Sequence, residues 1–297
     1  MIRRKLASAV PARLVGRLVV MVILPAALLW GGAEGRTEKT FDCTREPRIS
    51  VNNLSGHVLV RGWDKAQIHV VYSVASPRVE IDTEFLPPTG PVDKAHFDTH
   101  VLDPKLPADE RTADFTMDVP SGATLEIRNA QGKIIVQGMQ ADASVQSVGA
   151  DISIRDYSGR LMVHSVAGDI DIVRPSGNVE AYSVTGNLHF VSPSTTRLHG
   201  TTTSGSIRFE GDFMDRGDYI LSAYSGDVDV ICPPRASYEL RAKTVKGKVF
   251  NAMPMTRWRE SATPADSANS LLGTHNTGRA TVELTSFSGN IHIRPQD

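Results

Sequence analysis

The sequence predicts an all-β chain coiled as a β-solenoid, with about 18–21 residues per coil and an irregular N-terminal β cap. Three observations predict it. A glycine-centred turn recurs at near-constant spacing, apolar residues stand two and four places after each turn, and small polar residues stand three places before it.

The turns centre on Gly56, Gly132, Ala150, Gly168, Gly186, Gly205, Gly226, Gly247 and Gly289. From Gly132 the steps are 18, 18, 18, 19, 21, 21 and 42 residues. The last is twice 21, as expected where one rung is degenerate or replaced by an insertion. A sharp reversal calls for positive φ, which glycine reaches without steric cost, so the eight glycines are assigned as structural turn residues.

After each turn comes a strand. Two places on stand Ile134, Ile152, Ile170, Leu188, Ile207, Val228, Val249 and Ile291; four places on, the slot is apolar except at Asn251. Polar residues such as Asp171, His189, Arg208 and Asp229 lie between, a period of two with one buried face. Seven and five places before the turn, pairs such as Leu161/Val163 and Tyr219/Leu221 mark a second strand entering it. Further turns at Gly159 and Gly177 close the coil.

The column three places before the turn reads Asn129, Ser147, Ser165, Ser183, Thr202, Ala223, Thr244 and Ser286. By alternation it faces inward, where a hydroxyl can satisfy an unpaired turn amide. A serine nucleophile needs a base at one position, and a ladder of equivalents offers none.

A single coil cannot fold. Five buried aliphatic side chains supply on the order of 10 kcal/mol, against ~1–2 kcal/mol of backbone entropy for each residue ordered. Coils must stack, and eight or nine at ~4.8 Å make a rod about 40 Å long.

Residues 1–35 stand apart. Arg3, Arg4, Lys5, Arg13 and Arg17 precede or flank an apolar run from Leu18 to Trp30, with small residues after it. This is the pattern of a secretory signal peptide, or of a signal anchor if uncleaved, the one membrane attachment foreseen. The expected location is therefore extracytoplasmic: periplasmic, cell-surface or secreted. Without residues 1–35 the chain keeps 27 basic and 32 acidic residues, a net charge of −5 that argues against nucleic acid as partner. Residues 36–124 read as the N-terminal β region with a first coil, containing strands at "QIHVVYSV", "RVEIDTEF", "AHFDTHVL" and "ADFTMDVP". Residues 125–297 read as the repeats, with an insertion at 251–278 expected to be a loop or short helix on the last coils. Cys43 and Cys232 are either a disulfide pair or two separate buried thiols.

With the repeats laid out, "ISVNNLSGHVLVRGWD", "FTMDVPSGATLEIRNAQGKIIV" and "VELTSFSGNIHIRP" resemble a bacterial extracytoplasmic family labelled "putative adhesin", the domain of unknown function 4097. The resemblance spans roughly residues 41 to 296. It implies an exported strand-repeat protein, a right-handed parallel β-helix in form, and supplies no catalytic residues.

No catalytic, cofactor or metal constellation stands out. Asp151, Asp169 and Asp227 share the slot one place after the turn, but Lys133, Asn187, Ser206 and Lys248 occupy it elsewhere, which favours a solvated face over a calcium ladder. The histidines lack ligand spacing. Trp258, between Arg257 and Arg259, is the candidate contact for a ligand or partner, whereas Trp63 reads as packing. The function expected is a non-catalytic binding or structural protein of the bacterial cell envelope, engaging protein or glycan. The alternatives are a carbohydrate-active β-helix enzyme and a self-associating filament subunit.

Overall fold

Val, Ile, Leu and Phe at the slots flanking each turn face inward from two short strands, and successive pairs build two facing ladders of one continuous sheet. The computed structural model describes residues 35–257 and 268–296, which hold 22 strands and one 3-10 turn at Ala108–Arg111. The N-terminal strands are β1 (Thr37–Trp63), β2 (Gln67–Val74), β3 (Val79–Leu86), β4 (Val92–Val101), β5 (Ala113–Pro120) and β6 (Thr124–Gln137). The regular coils follow as β7 (Ala143–Ser147), β8 (Asp151–Arg155), β9 (Arg160–Ser165), β10 (Ile170–Val173), β11 (Asn178–Ser183), β12 (Leu188–Val191), β13 (Arg197–Thr202), β14 (Ile207–Glu210), β15 (Asp218–Ala223) and β16 (Val228–Cys232). The chain ends through β17 (Tyr238–Thr244), β18 (Val249–Asn251), β19 (Thr256–Arg257), β20 (Ser270–His275), β21 (Ala280–Ser286) and β22 (Ile291–Pro295).

The expected solenoid is present. Coils pair in parallel and in register, so that Ile170 lies between Ile152 and Leu188, and Ser183 between Ser165 and Thr202. The slots predicted to be inward are inward: Ile134, Ile172, Phe190, Ile207, Leu221 and Ile291 are all fully buried. Gly200 occupies one such slot because its neighbour is Phe190, whose ring would lie 2.9 Å from an added Cβ. Asn251 breaks the apolar rule at the end of β18, where its side chain accepts from Met253 N (3.0 Å) and donates to Met253 O (2.8 Å) to turn the chain.

The order of the coils departs from the order of the sequence at both ends. At the C-terminal end β21/β22 lies between β15/β16 and β17/β18. Among the described residues the 42-residue step holds no degenerate rung; the last coil has inserted itself one place back. At the N-terminal end β1 lies between β6 on one side and β4 with β5 on the other, all parallel. Residues 92–120 thus form a coil of their own, disguised in the sequence by the long connection between its strands, and the stack numbers ten coils, about 43 Å at ~4.8 Å each.

Antiparallel strands flank the outer coils. Next to β4 runs β3, next to β5 runs β2, and next to β17 runs β20. The segment expected as a loop or helix at 251–278 thus contributes strands, because the outer edge of β17 has backbone groups that β20 satisfies.

The turn glycines are glycine for two different reasons. Gly56 and Gly132 do sit at positive φ, 119° and 108°, within the continuous strands β1 and β6. Gly168, Gly186, Gly205, Gly226, Gly247 and Gly289 do not. Their reason is close stacking: a Cβ at Gly186 would stand 2.1 Å from Gly168 O, one at Gly205 2.1 Å from Gly186 O, and one at Gly289 2.0 Å from Gly226 O. A long-range contact, rather than local conformation, explains six of the eight.

The small polar column behaves as expected. Ser165 Oγ accepts from Gly168 N (2.9 Å), Ser183 from Gly186 N (2.8 Å), Thr244 from Gly247 N (3.1 Å) and Ser286 from Gly289 N (2.9 Å). In the two long strands asparagine takes the slot and reaches a neighbouring rung, Asn129 Nδ2 donating to Gly56 O at 3.0 Å.

Candidate binding surface

The turns, stacked one on another, make one long edge of the molecule. From the Gly168 turn onward each turn donates two amides to the turn beside it: Val166 N to Ser147 O (3.1 Å) and Ala167 N to Val148 O (2.8 Å), Val184 N to Ser165 O (3.1 Å) and Thr185 N to Val166 O (2.9 Å). The pairing continues through Tyr224 and Ser225, and through the inserted coil at Phe287 and Ser288. This edge is therefore held by the same kind of hydrogen bonds as the sheet.

Side chains two places before the turn centre point outward, and most are apolar. Leu54, Val148, Val166, Tyr224 and Val245 expose 45, 52, 48, 55 and 54% of their surface, a line of hydrophobes that the core does not use. Tyr224 and Phe287 stack face to face, centroids 4.7 Å apart. Four places before the turn runs a second outward line, mostly polar, in which His164 and Tyr182 meet edge to face at 6.0 Å. Between the lines over five coils lies a groove of about 570 Å³, walled by Leu54, Val148 and Val166 on one side and by Gln146, His164 and Tyr182 on the other. Two smaller clefts, of about 260 and 470 Å³, lie at the N-terminal coils beside Lys94 and beside Pro88.

The column one place after the turn has a structural use. Asp151 Oδ1 accepts from Asp169 N (3.1 Å), Asp169 Oδ1 from Asn187 N (2.7 Å), Asn187 Oδ1 from Ser206 N (3.0 Å) and Asp227 Oδ1 from Asn290 N (2.7 Å). Each side chain caps an amide of the adjoining coil. No cluster suited to a metal ion occurs among the described residues.

Several charges on the other ladder of strands are paired with each other. His189 sits between Asp171 (3.3 Å) and Glu210 (3.4 Å), and Arg208, with His189, holds the Glu210 carboxyl below its ordinary range. At the N-terminal end His69 contacts Glu38 (3.1 Å) and Asp118 (3.3 Å), and those two carboxylates raise its pKa.

Trp258 and Arg259 lie outside the described residues; the backbone of Arg257 pairs with Gly273, and its side chain is likewise outside. Trp63 packs at the end of β1 with its Nε1 donating to Gln67 O (2.8 Å). Of the two alternatives for the cysteines, the structure has separate thiols. Cys43 is buried beside β4 and Cys232 at the end of β16, both free, with burial pushing each thiol up to about 11. The groove was missed because its residues repeat. Repetition reads as architecture even where, as at Val148 and Val166, the side chain faces away from the core.

The family model for Toastrack, DUF4097, matches residues 124–294, more than half of the chain. Two solved structures are similar. A protein described as a "putative cell adhesion protein" from Clostridium sporogenes ATCC 15579 is 12% identical, with 88% of this chain and 100% of that one covered and a TM-score of 0.29. A "putative adhesin" from Bacteroides fragilis NCTC 9343 is 10% identical, with 89% and 98% covered and a TM-score of 0.36. No curated protein matches.

Proposed function

The chain belongs to the Toastrack family DUF4097, and on that premise we propose that it is an exported, non-catalytic binding protein of the cell envelope whose turn edge is its contact surface. The observation that carries this reading is the line of exposed hydrophobes beside the 570 Å³ groove, on a backbone held rigid by cross-turn hydrogen bonds. A binding surface that need not reorder loses little entropy on association. Export rests on the basic and apolar character of residues 1–35. No helix among the described residues is long and apolar enough to cross a membrane.

Two measurements test the proposal. Residues 1–35 fused to a reporter that is active only outside the cytoplasm should yield activity; an inactive reporter overturns export. Purified protein should bind isolated envelope material, and Val166→Asp should abolish binding without lowering the melting temperature. Release of polysaccharide fragments, with no retained complex, would favour an enzyme instead.

A further inference from the structure

The character of the turn edge narrows what it binds, given the binding-protein reading above. Six consecutive coils present, from four places before the turn to its centre, the segments Gln146–Ala150, His164–Gly168, Tyr182–Gly186, Thr201–Gly205, Ser222–Gly226 and Thr285–Gly289. None contains Asp, Glu, Lys or Arg, in a chain that is 22% charged. At ~4.8 Å per coil the uncharged band is about 24 Å long. Basic residues border it at both ends, with Arg128, paired to Glu126 at 2.6 Å, and Lys133 on the preceding coil and Lys243, Lys246 and Lys248 on the following one.

We propose that this band binds a linear, uncharged glycan lying along the stack axis. A pyranose chain offers an apolar C–H face and an edge of hydroxyls. The band offers the complement in two parallel lines: Val148, Val166 and Tyr224 for the face, Gln146, Tyr182 and Thr201 for the hydroxyls; Phe287, stacked on Tyr224 and with Lys246 Nζ 5.0 Å over its ring, closes the apolar line. The absence of fixed charge suits a ligand without any, since a carboxylated polymer would also meet Asp151, Asp169 and Asp227 one place past the turns.

A peptide strand fits less well. The band's backbone amides are spent between coils, as with Val184 N on Ser165 O and Thr203 N on Ser183 O (3.2 Å), so no open edge is left for strand addition. A second copy fits less well too. Antiparallel pairing of two bands brings Arg128 and Lys133 opposite Lys243, Lys246 and Lys248 at both ends, and parallel pairing sets each cation against itself.

The test is titration calorimetry of the purified protein against a neutral β-linked glucose oligomer, a neutral N-acetylhexosamine oligomer, an alginate oligomer as the acidic counterpart and an uncharged peptide. A neutral oligomer should bind, Tyr182→Ala and Val166→Asp should each weaken it about tenfold or more, and Asp171→Ala on the opposite ladder should not. Circular dichroism melts of the exposed-site variants confirm that they fold, and Tyr182→Phe should retain part of the affinity by keeping the ring. Binding confined to alginate or to the peptide, lost in the same variants, overturns the glycan assignment and leaves the binding surface standing. Sedimentation showing a dimer that Val166→Asp dissolves does so as well, in favour of a second copy. If neither neutral oligomer binds the assignment falls, and if envelope material also fails to bind, the binding-protein reading falls with it.

Discussion

Replacing Gly186 with alanine tests the close-stacking account of the turns most directly. The added Cβ would lie 2.1 Å from Gly168 O, whereas ordinary contact begins at 3.4 Å, so the two turns must part by about 1.3 Å. Of the bonds that cross that gap, three are made by backbone amides flanking the contact: Thr185 N to Val166 O (2.9 Å), Asn187 N to Asp169 Oδ1 (2.7 Å) and Ile170 N to Asn187 O (2.9 Å). Each would stretch to about 4 Å, beyond hydrogen-bonding range. At about 0.5–1.5 kcal/mol per bond the loss is about 1.5–4.5 kcal/mol, and relaxation that spares the bonds incurs overpacking of about 1–3 kcal/mol instead. We expect a destabilisation near 3 kcal/mol, read as a lowered urea midpoint with unchanged slope. Ala150 shows that alanine is not barred from the slot as such; it stacks on β6, whose Gly132 has a different backbone conformation, φ 108°. A Gly186→Ala protein within about 0.5 kcal/mol of the parent would refute the argument.

Four further outcomes are expected. Ser183→Ala leaves the buried Gly186 amide without its 2.8 Å partner and should lower stability by about 1–3 kcal/mol in the same urea assay, while Ser222→Ala, on the outward line, should be near neutral. Cys43 and Cys232, with thiols near 11, should resist a disulfide reagent in the native protein and both react on unfolding, so labelling counted by mass spectrometry should be all or none. The pKa of His69 is raised by Glu38 and Asp118, so its contribution is complete below the unfolded value of ~6.5 and declines as pH rises through the folded one. His69→Gln should flatten that part of the urea-midpoint profile, and a histidine NMR titration reports the folded value. Truncation after Gly278 removes β21 and β22, leaving β15 and β17 without their common neighbour; hydrogen exchange should then show β17 and β18 unprotected while β7–β14 stay slow.

The rungs were legible in the sequence because the inward slots recur through Ile170, Leu188 and Ile207, and because burial follows alternation in any strand. The order of the coils was not. Gly226, Gly247 and Gly289 present nearly the same turn to a neighbour, so spacing along the chain cannot say which two touch. The glycine at 186 was legible and its cause was not, since Gly168 O is remote in sequence by one whole coil. At the turn edge the information was present but indistinguishable from the repeat. Val148 and Val166 stand directly beside an inward serine and so read as part of the repeat, although the lack of charge from Gln146 to Ala150 and from Thr285 to Gly289 is plain in the sequence.

The exchanged coils at the two ends bear on how the rod carries load. In a stack wound in simple order, tension on a terminus peels the outermost coil, one hydrogen bond at a time. Here a pull on the C-terminal residues acts on β21/β22, which is bonded to β15/β16 on one side and β17/β18 on the other, and a pull on the N-terminal residues, once Thr37–Asp42 has parted from β2, reaches the body of β1, clasped between β6 and the β4/β5 coil. Neither coil can leave without rupturing two ladders together. A protein tethered at one end and gripped along its flank would thus yield at higher force than its coil count suggests.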